Sequence, residues 1–290
     1  MYKEVSFDPS CMGSMEYYCL LKQHFGYDHG RYVAVDVKAW AKEAMKTVKQ
    51  SALQPVKKKS VKNYLNKLVT SRNYGEFHLA PDREGVEYTA WVSWHADQVS
   101  IRPFSFVLSE SSDVDSICVD DINNGSELWC LKRSISIDRN AVDILNELMP
   151  LINISRRVTV IDQYFRLSNN PTLKELICRC QGCGVENISI ITSMETPNAL
   201  EIYNREYKTI NENGILFSWI KAPNKFFHDR YLITDVGAIR SGQGFMPEIK
   251  KGIHADKVNL NIIGKDEVDR TLADLSKLLE NKNAVEIFRI

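Results

Sequence analysis

One short segment in the last third of the chain carries residues that could act on a phosphate ester. It reads KFFHDRYLITDVGAIRSGQGF and places His228, Arg230 and Asp235 ahead of a glycine-rich turn. An imidazole can attack phosphorus or protonate a leaving oxygen, and a guanidinium can neutralise the equatorial oxygens. Residues two apart on a strand share a face, so His228 and Arg230 are expected to project together. Asp235 is seven residues from His228 and is expected at the turn.

The turn itself could approach an anion closely, because glycine removes the steric barrier to such contact with backbone amides. Upstream, the strand RVTVIDQYF ends at Asp162, where open α/β sheets place ligand groups. The catalytic candidates are therefore His228, Arg230 and Asp235, with no metal or cofactor required. The predicted phosphate-binding set is Asp162, Lys225, Ser241, Gly242 and Gly244. The structural alternative is an edge strand in which Arg230 pairs with Asp229 or Asp162 and His228 satisfies a carbonyl.

The elements around this segment alternate between strand and helix from Asp138 to the C-terminus. Central strands are predicted at Val158–Asp162, Ile188–Thr192 and His228–Thr234, separated by amphipathic helices. This rhythm predicts an α/β layer with helices on both faces of the sheet. Residues 1–75 are predicted to be mostly helical, and residues 76–137 are predicted to be strand-rich and antiparallel, with EYTAWVSWH as one strand. The expected domains are 1–137 and 138–290, with an α+β region preceding the α/β domain.

The bulk composition limits the class of protein. With 290 residues, 44% hydrophobic and 26% charged, the chain is that of a soluble globular protein. No apolar run approaches the roughly 18 residues that cross a bilayer, and the N-terminus lacks the apolar core of a signal peptide. The protein is therefore expected in the cytosol, without membrane association.

Basic residues are concentrated near the N-terminus. Residues 1–75 hold 13 basic and 6 acidic side chains, whereas residues 76–150 hold 5 and 14. The densest basic run lies on a predicted helix whose apolar face is Val61, Leu65 and Leu68. Either the run is a solvated helix face or it contacts phosphates. Its candidate nucleic-acid contacts are Lys57, Lys58, Lys59 and Lys62.

Two groups of residues could begin a metal site. Cys178, Cys180 and Cys183 lie close together, but a tetrahedral zinc site needs a fourth ligand. The alternative is a helix with Cys180 facing the core and an end at the following glycines. His24 and His29 flank a loop, where surface or capping roles are the alternative. The seven cysteines are scattered, as is typical of free thiols.

The spacing His228-x-Arg230-x-x-x-x-Asp235, followed by a glycine turn, resembles the HxKxxxxD motif of the phospholipase D superfamily, with arginine replacing lysine. The upstream VTVIDQYF resembles the strand and loop that precede this motif in single-motif members. HDRYLITDVGAIRSGQGF is most similar to the phospholipase D-like C-terminal domain of MIT-domain proteins and its bacterial relatives. The resemblance covers about Asp138 to Ile290 and implies a phospholipase D-like fold with a mixed central sheet.

The resemblance also implies a function. His228 matches the nucleophile of catalytic relatives and Asp235 the orienting carboxylate. The chain holds one copy of the motif, so a complete catalytic site would need a homodimer. The arginine form is similar to members that bind phosphate without cleavage. The resemblance therefore implies two alternative functions, a metal-independent nuclease or phosphodiesterase and a phosphate-binding protein. Bacterial relatives suggest an accessory component of antiviral defence or mobile-element loci that binds nucleic acid. The alternative is a non-catalytic interaction module that docks a partner ATPase or helicase.

Overall fold

The computed structural model describes residues 1–70, 74–247 and 256–290. It divides into two compact units, an N-terminal unit of residues Tyr2–Leu131 and a C-terminal unit of residues Lys132–Ile290. The boundary expected from sequence, after residue 137, lies a few residues further along. The difference arises because the strand that begins at Ser134 belongs to the sheet of the C-terminal unit.

The N-terminal unit surrounds a small parallel sheet. Its strands are in the order β2-β1-β3-β4, and every adjacent pair is parallel. Phe7 and Phe106 from the sheet and Trp40 from the second helix are among the fully buried side chains of its core. The elements are β1 (Lys3–Phe7), α1 (Met15–His24), β2 (Arg31–Val33), α2 (Val37–Gln50), α3 (Pro55–Thr70), α4 (Trp91–Ile101), β3 (Phe106–Leu108), β4 (Ser116–Ile117) and α5 (Val119–Asn123).

The prediction of an antiparallel, strand-rich region over residues 76–137 was wrong. The segment WVSWHADQVSI forms helix α4 rather than a strand, and β3 and β4 pair in parallel. Tryptophan and valine favour strands, but in α4 Trp91, Trp94 and Gln98 are buried while the residues between them are mostly exposed. That spacing of three and four residues is the period of a helix, and burial of both indoles outweighs the local strand preference.

A buried ion-pair network links the beginning of β1 to α4. The Arg83 side chain is fully buried, and its guanidinium donates to both carboxylate oxygens of Glu4 at 2.8 and 2.9 Å. Arg102, at the end of α4, donates to Glu4 at 2.7 Å and to Asp82 at 2.9 Å. A buried charge is tolerated only when it is paired and hydrogen-bonded, as here. These contacts therefore fix β1 against the end of α4.

The C-terminal unit contains the larger sheet. Its elements are β5 (Ser134–Asp138), α6 (Ala141–Ile152), β6 (Arg157–Ile161), α7 (Pro171–Cys180), β7 (Asn187–Thr192), α8 (Ala199–Glu206), β8 (Leu216–Lys221), β9 (Arg230–Thr234), β10 (Ala238–Ser241), β11 (Lys257–Ile262), α9 (Lys265–Glu280) and β12 (Val285–Arg289). Helices α6 and α7 each begin at an asparagine, Asn140 and Asn170, whose side chain accepts an N–H of the first turn.

Eight strands form this sheet in the order β12-β8-β7-β6-β9-β10-β11-β5. Strands β6, β7 and β8 are parallel, whereas β9 is antiparallel to β6, so the sheet is mixed, as predicted. The predicted central strands are confirmed at β6, β7 and β9, except that β9 begins at Arg230 and leaves His228 outside. Among the described residues, no helix combines the length and apolarity needed to cross a bilayer.

Candidate functional site

The turn after β10 contains Gly242 and Gly244 and is called the glycine turn below. It is held by a buried carboxylate. Asp162 directly follows β6 and is 2% exposed. Its Oδ1 accepts the N–H of Tyr164 at 3.0 Å, and its Oδ2 accepts the N–H of Phe245 at 2.8 Å. Gly244 has φ +88°, and a Cβ there would lie 2.5 Å from Asp162 Oδ2. Glycine is therefore required at 244 both by its backbone conformation and by its contact with Asp162.

The electrostatics of Asp162 reflect this burial. Burial raises the pKa of the Asp162 carboxyl above its ordinary value. The N–H groups of Phe245 and Tyr164 oppose the rise, as do the positive charges of Arg230 and Arg139. Since both oxygens receive backbone donors, Asp162 holds the turn. Asp162 was predicted to bind phosphate. In the structure, its carboxylate accepts backbone N–H groups and positions the turn.

Two further side chains fix the same turn from inside. Arg139 donates from Nη2 to the Gln243 carbonyl at 2.8 Å and from Nε to the Met246 carbonyl at 3.1 Å. Ser241 is fully buried and its hydroxyl donates to the Gly244 carbonyl at 2.8 Å. Sequence reasoning missed Arg139, because it follows β5, whose pairing with β11 has no local signal. Ser241 was predicted as a phosphate contact, but its hydroxyl is used within the turn.

Arg230 lies at the outer side of this turn. Its Nη1 donates to the Gly242 carbonyl at 3.0 Å, and its guanidinium carbon lies 5.8 Å from the centroid of the Tyr164 ring. Tyr164 is 55% exposed. Within the described residues, Arg230 makes no ion pair with Asp229 or Asp162, and Asp229 instead lies 4.0 Å from Arg240. The half-buried guanidinium therefore keeps donors for an anion, and Tyr164 is a neighbour that the sequence did not indicate.

His228 and Lys225 border a cavity whose lining does not include Arg230. Lys225 is in the short 3-10 helix Asn224–Phe226, and His228 follows in a bend before β9. Both side chains are exposed and line a cavity of about 580 Å³ beside α9. Its other polar lining residues are Tyr231, Glu267, Arg270, Thr271, Asp274, Lys277 and Asn281. Arg230 is not among them, so the imidazole and the guanidinium do not line this cavity together.

Asp235 holds the far end of the strand pair. Its Oδ1 accepts the N–H groups of Arg156 and Arg157, at 3.0 and 3.1 Å, where β6 begins. Because β6 and β9 are antiparallel, that end lies opposite the end that leads to Asp162. Five residues of strand span about 16 Å. The structure therefore places Asp235 as a cap on the β6 backbone, away from Arg230 and the glycine turn.

The predicted lysine-rich helix is confirmed as α3. Val61, Leu65 and Leu68 are buried on one side of the helix, and Lys57 and Lys59 are exposed while Lys62 is half-buried. Lys58 differs from them. Its Nζ donates to the carbonyls of Ser51 and Lys49, at 2.7 and 3.3 Å, near the C-terminal end of α2. Lys57, Lys59 and Lys62 are thus the members of the run that can contact a polyanion.

The candidate metal residues do not converge. All seven cysteines are free thiols, and α7 ends at Cys180, which is buried. In residues 1–70, 74–247 and 256–290, no three His, Cys, Asp or Glu side chains come together in a way that could hold a metal ion. His24 and His29 pack edge to face with ring centroids 6.4 Å apart.

Comparisons with known proteins add little to this geometry. No protein-family model and no curated protein matches the chain. Among solved structures, that of TrmBL2, an archaeal chromatin protein described as showing a novel mode of DNA binding, matches with a TM-score of 0.33 and 16% sequence identity. The match covers 58% of this chain and 59% of that one. A TM-score this low supports no inference about fold or function.

Proposed function

We propose that the C-terminal unit binds a phosphodiester of nucleic acid at Arg230 and the glycine turn. The observation that carries this proposal is the anchored guanidinium. Arg230 uses one donor on the Gly242 carbonyl, which orients the group, and it makes no ion pair or hydrogen bond with a carboxylate within the described residues. A guanidinium oriented in this way can bind two phosphate oxygens at once. The resemblance of the segment to phospholipase D-like proteins supports the same ligand chemistry.

Local charge supports an anionic ligand. The buried carboxylate of Asp162 lies near two arginines, Arg139 and Arg230, whose charges both act on it. Arg139 donates to two carbonyls inside the turn, whereas Arg230 is half-exposed. With one carboxylate and two guanidinium groups, the cluster carries an excess positive charge at its exposed side. Such a cluster attracts phosphate.

Tyr164 favours nucleic acid over free phosphate. Its ring is 55% exposed and adjacent to Arg230, so a base attached to the bound phosphate has an aromatic surface on which to stack. Since stacking needs an unpaired base, single-stranded nucleic acid is the form proposed. Lys57, Lys59 and Lys62 of α3 would add contacts to the backbone that do not depend on base sequence.

Binding is the proposed activity, and cleavage is the second candidate. Metal-independent cleavage is favoured by one observation, namely that the His228 imidazole is exposed and makes no hydrogen bond within the described residues. Against it, Arg230 does not line the cavity that His228 borders. Cleavage through His228 would therefore need a second copy of the chain to complete the site, as single-motif phospholipase D-like proteins imply.

The proposal is tested by titrating a fluorescent single-stranded oligonucleotide with Arg230→Ala and following anisotropy at several salt concentrations. Removal of one charge-assisted bond to phosphate should weaken binding about tenfold or more and reduce the salt slope by about one. Arg289→Ala, an exposed arginine on β12, is the matched control and should bind like the wild type. Equal affinities for the two variants would remove Arg230 from the interface.

Stacking is tested at Tyr164. Tyr164→Phe keeps the ring and should bind single strands like the wild type, whereas Tyr164→Ala should lose about 1–3 kcal/mol of binding free energy. Duplex DNA, which offers no unpaired base, should respond equally to both variants. If alanine and phenylalanine give the same single-strand affinity, the ring does not stack on a base.

Cleavage is tested separately by incubating labelled oligonucleotides with a chelator present. His228→Ala should abolish any cleavage while leaving binding nearly unchanged, because it removes the nucleophile and keeps the Arg230 guanidinium that holds the phosphate. Absence of cleavage in the wild type would leave binding as the activity. Metal-dependent cleavage that tolerates both His228→Ala and Arg230→Ala would place the chemistry elsewhere in the chain.

A further inference from the structure

Two cysteines at the C-terminal end of α7 form a pair that none of the sites above uses. Cys180 is the last residue of the helix, and Cys183 lies three residues further on, in the sequence CQGC. The Cys183 N–H donates to the Cys180 carbonyl at 3.3 Å, which closes a turn between them. The two ends of such a turn lie within about 7 Å, and disulfides join Cα atoms about 4.4–6.8 Å apart. The backbone therefore holds both cysteines at a separation that a disulfide can span.

The side chains of this pair also face each other. A hydrogen bond joins the two thiols, and the Cys183 thiol donates to the Cys180 carbonyl, with 3.5 Å between sulfur and oxygen. Sulfur atoms at hydrogen-bonding distance need only a small movement to bond covalently. Cys178 is exposed on the same helix, but residues two apart on a helix do not face each other. The geometry therefore selects Cys180 and Cys183 from the three neighbouring cysteines.

Exposure gives the two thiols different roles. Cys183 is partly exposed, so a small oxidant can reach its sulfur, whereas Cys180 is 1% exposed and is shielded. The hydrogen bond with Cys183, and then burial, raise the pKa of the Cys180 thiol. A thiol that stays protonated reacts slowly with an oxidant, because the thiolate is the nucleophile. Cys183 is therefore the thiol that is oxidised first, and Cys180 is the thiol that then attacks it.

We propose that Cys180 and Cys183 are a redox modification site, at which hydrogen peroxide converts the two thiols into a reversible disulfide. The Cys183 thiolate attacks one peroxide oxygen, so that an S–O bond forms and the O–O bond breaks, and the departing hydroxide takes up a proton to become water. The Cys180 sulfur then attacks the Cys183 sulfenic acid, and the Cys180 thiol proton leaves with the hydroxyl group as a second water. The two thiols together lose two electrons, which the peroxide gains. A small thiol such as glutathione reverses the bond by exchange.

The turn that this bond closes also holds the loop before β8. Gln181 lies between the two cysteines, and its carbonyl accepts a side-chain N–H of Asn213 at 2.8 Å. The Gln181 Oε1 accepts the backbone N–H of Asn213 at 2.7 Å. A covalent bridge removes open conformations of the turn and so stabilises its closed form. Oxidation of the pair should therefore restrain the loop at Asn213.

The test is mass spectrometry of the full chain after exposure to an equimolar amount of hydrogen peroxide, capping of the remaining thiols with N-ethylmaleimide, and digestion with trypsin. Trypsin cuts after Arg179 and next after Arg205, so one peptide holds Cys180 and Cys183 and no other cysteine. That peptide is expected to carry no cap, to be lighter by two hydrogen atoms, and to regain both thiols with glutathione. Cys178 falls in the preceding peptide and is expected to carry a cap.

Matched variants assign the roles of the cysteines. Cys183→Ser should abolish the bridge, whereas Cys180→Ser should leave a sulfenic acid at Cys183 that dimedone traps. Cys178→Ser removes an exposed thiol of the same helix and should form the bridge like the wild type. The proposal is overturned if both Cys180 and Cys183 are capped after the peroxide treatment, or if Cys183 is bridged to Cys178.

Amide hydrogen exchange measures the effect on the loop. The N–H of Asn213 should exchange about tenfold more slowly in the oxidised chain than in the reduced chain, as expected when a disulfide closes a short loop. In Cys183→Ser, peroxide should leave this rate unchanged. An exchange rate at Asn213 that is unchanged or faster in the oxidised wild type overturns the restraint of the loop. None of these measurements uses an oligonucleotide, so they stand whether or not Arg230 binds a phosphodiester.

Discussion

The Asp162 carboxylate accepts the amide N–H of Phe245 at 2.8 Å, joining residues 83 positions apart in the chain. The donor lies just beyond Gly244, and the acceptor lies just beyond β6. A carboxylate that is buried and bonded at both oxygens can occupy one position only. The turn that faces Arg230 is therefore held in shape by a residue from another strand before any ligand arrives, which limits the ordering cost of binding.

Gly244→Ala should destabilise the C-terminal unit by about 1–3 kcal/mol, measured by urea unfolding. Alanine at position 244 would have to adopt a positive φ, and its Cβ would lie 2.5 Å from Asp162 Oδ2. Gly242→Ala is the matched control, because a Cβ at Gly242 meets nothing within 4 Å and its φ is not positive. If both variants unfold at the same urea concentration, the contact between Gly244 and Asp162 does not constrain the turn.

Asp235→Ala should lower the free energy of unfolding by about 1–2 kcal/mol, because the amides of Arg156 and Arg157 lose a charged acceptor. Oligonucleotide affinity should stay unchanged, since the carboxylate lies at the far end of β9 from Arg230. Asp274→Ala, which removes only a surface ion pair with Lys277, is the control and should cost less. A loss of affinity with unchanged stability would instead assign Asp235 to the binding site.

Charge reversal of Lys57, Lys59 and Lys62 together should weaken nucleic-acid binding and lower the salt slope by about one for each phosphate that the helix no longer neutralises. Folding should be unaffected, because the buried face of α3 is on the other side. Lys58 is left intact, since its ammonium group donates to carbonyls near the end of α2. Anisotropy over a salt series measures the slope, and circular dichroism checks the fold.

The control for this variant is reversal of three exposed lysines of the C-terminal unit, Lys174, Lys208 and Lys257. It changes the net charge of the protein by the same amount at positions outside the glycine turn. Equal slopes for the two triple variants would mean that net charge alone governs the affinity and that α3 makes no specific contribution.

Stability should fall as the pH is lowered through the range below about 6.5. Burial, and then Arg83, lower the pKa of His95 below its ordinary value of 6.5, while Asp8 opposes the shift. As the pH falls, His95 is therefore protonated in the unfolded chain before it is protonated in the folded chain. The contribution of His95 to the free energy of unfolding is complete above pH 6.5 and is lost as the pH falls. Burial also lowers the pKa of His24, which should contribute to stability with the same dependence on pH.

Urea midpoints between pH 7.5 and 5.5 measure this dependence. His95→Gln should show a shallower pH slope than the wild type, because one of the groups responsible is removed. Val92→Gln changes an exposed side chain of the same helix that does not titrate, and should keep the slope of the wild type. A slope that survives in His95→Gln would assign the pH dependence to other groups.

Local periodicity in the sequence was sufficient to predict much of the fold. The alternation of strands and helices after Asp138, the central strands β6, β7 and β9, and the apolar face of α3 all follow from side-chain patterns within single elements. The prediction of a phosphate site at Arg230 and the glycine turn was also based on local sequence, since it depended on residue types a few positions apart. Patterns of this kind survive in a sequence because each element must bury its own apolar face.

Tertiary structure alone decided which distant residues meet. Asp162 meets Phe245, Arg83 meets Glu4 inside the N-terminal unit, and Asp235 caps β6 instead of joining His228. No local pattern encodes these pairs, because strand order and direction determine them. For the segment beginning at Trp91, strand preference and helical spacing disagreed, and burial of the two indoles against the core gave the helix. Sequence periodicity determines what each element buries, whereas the order of the elements determines which side chains share a site.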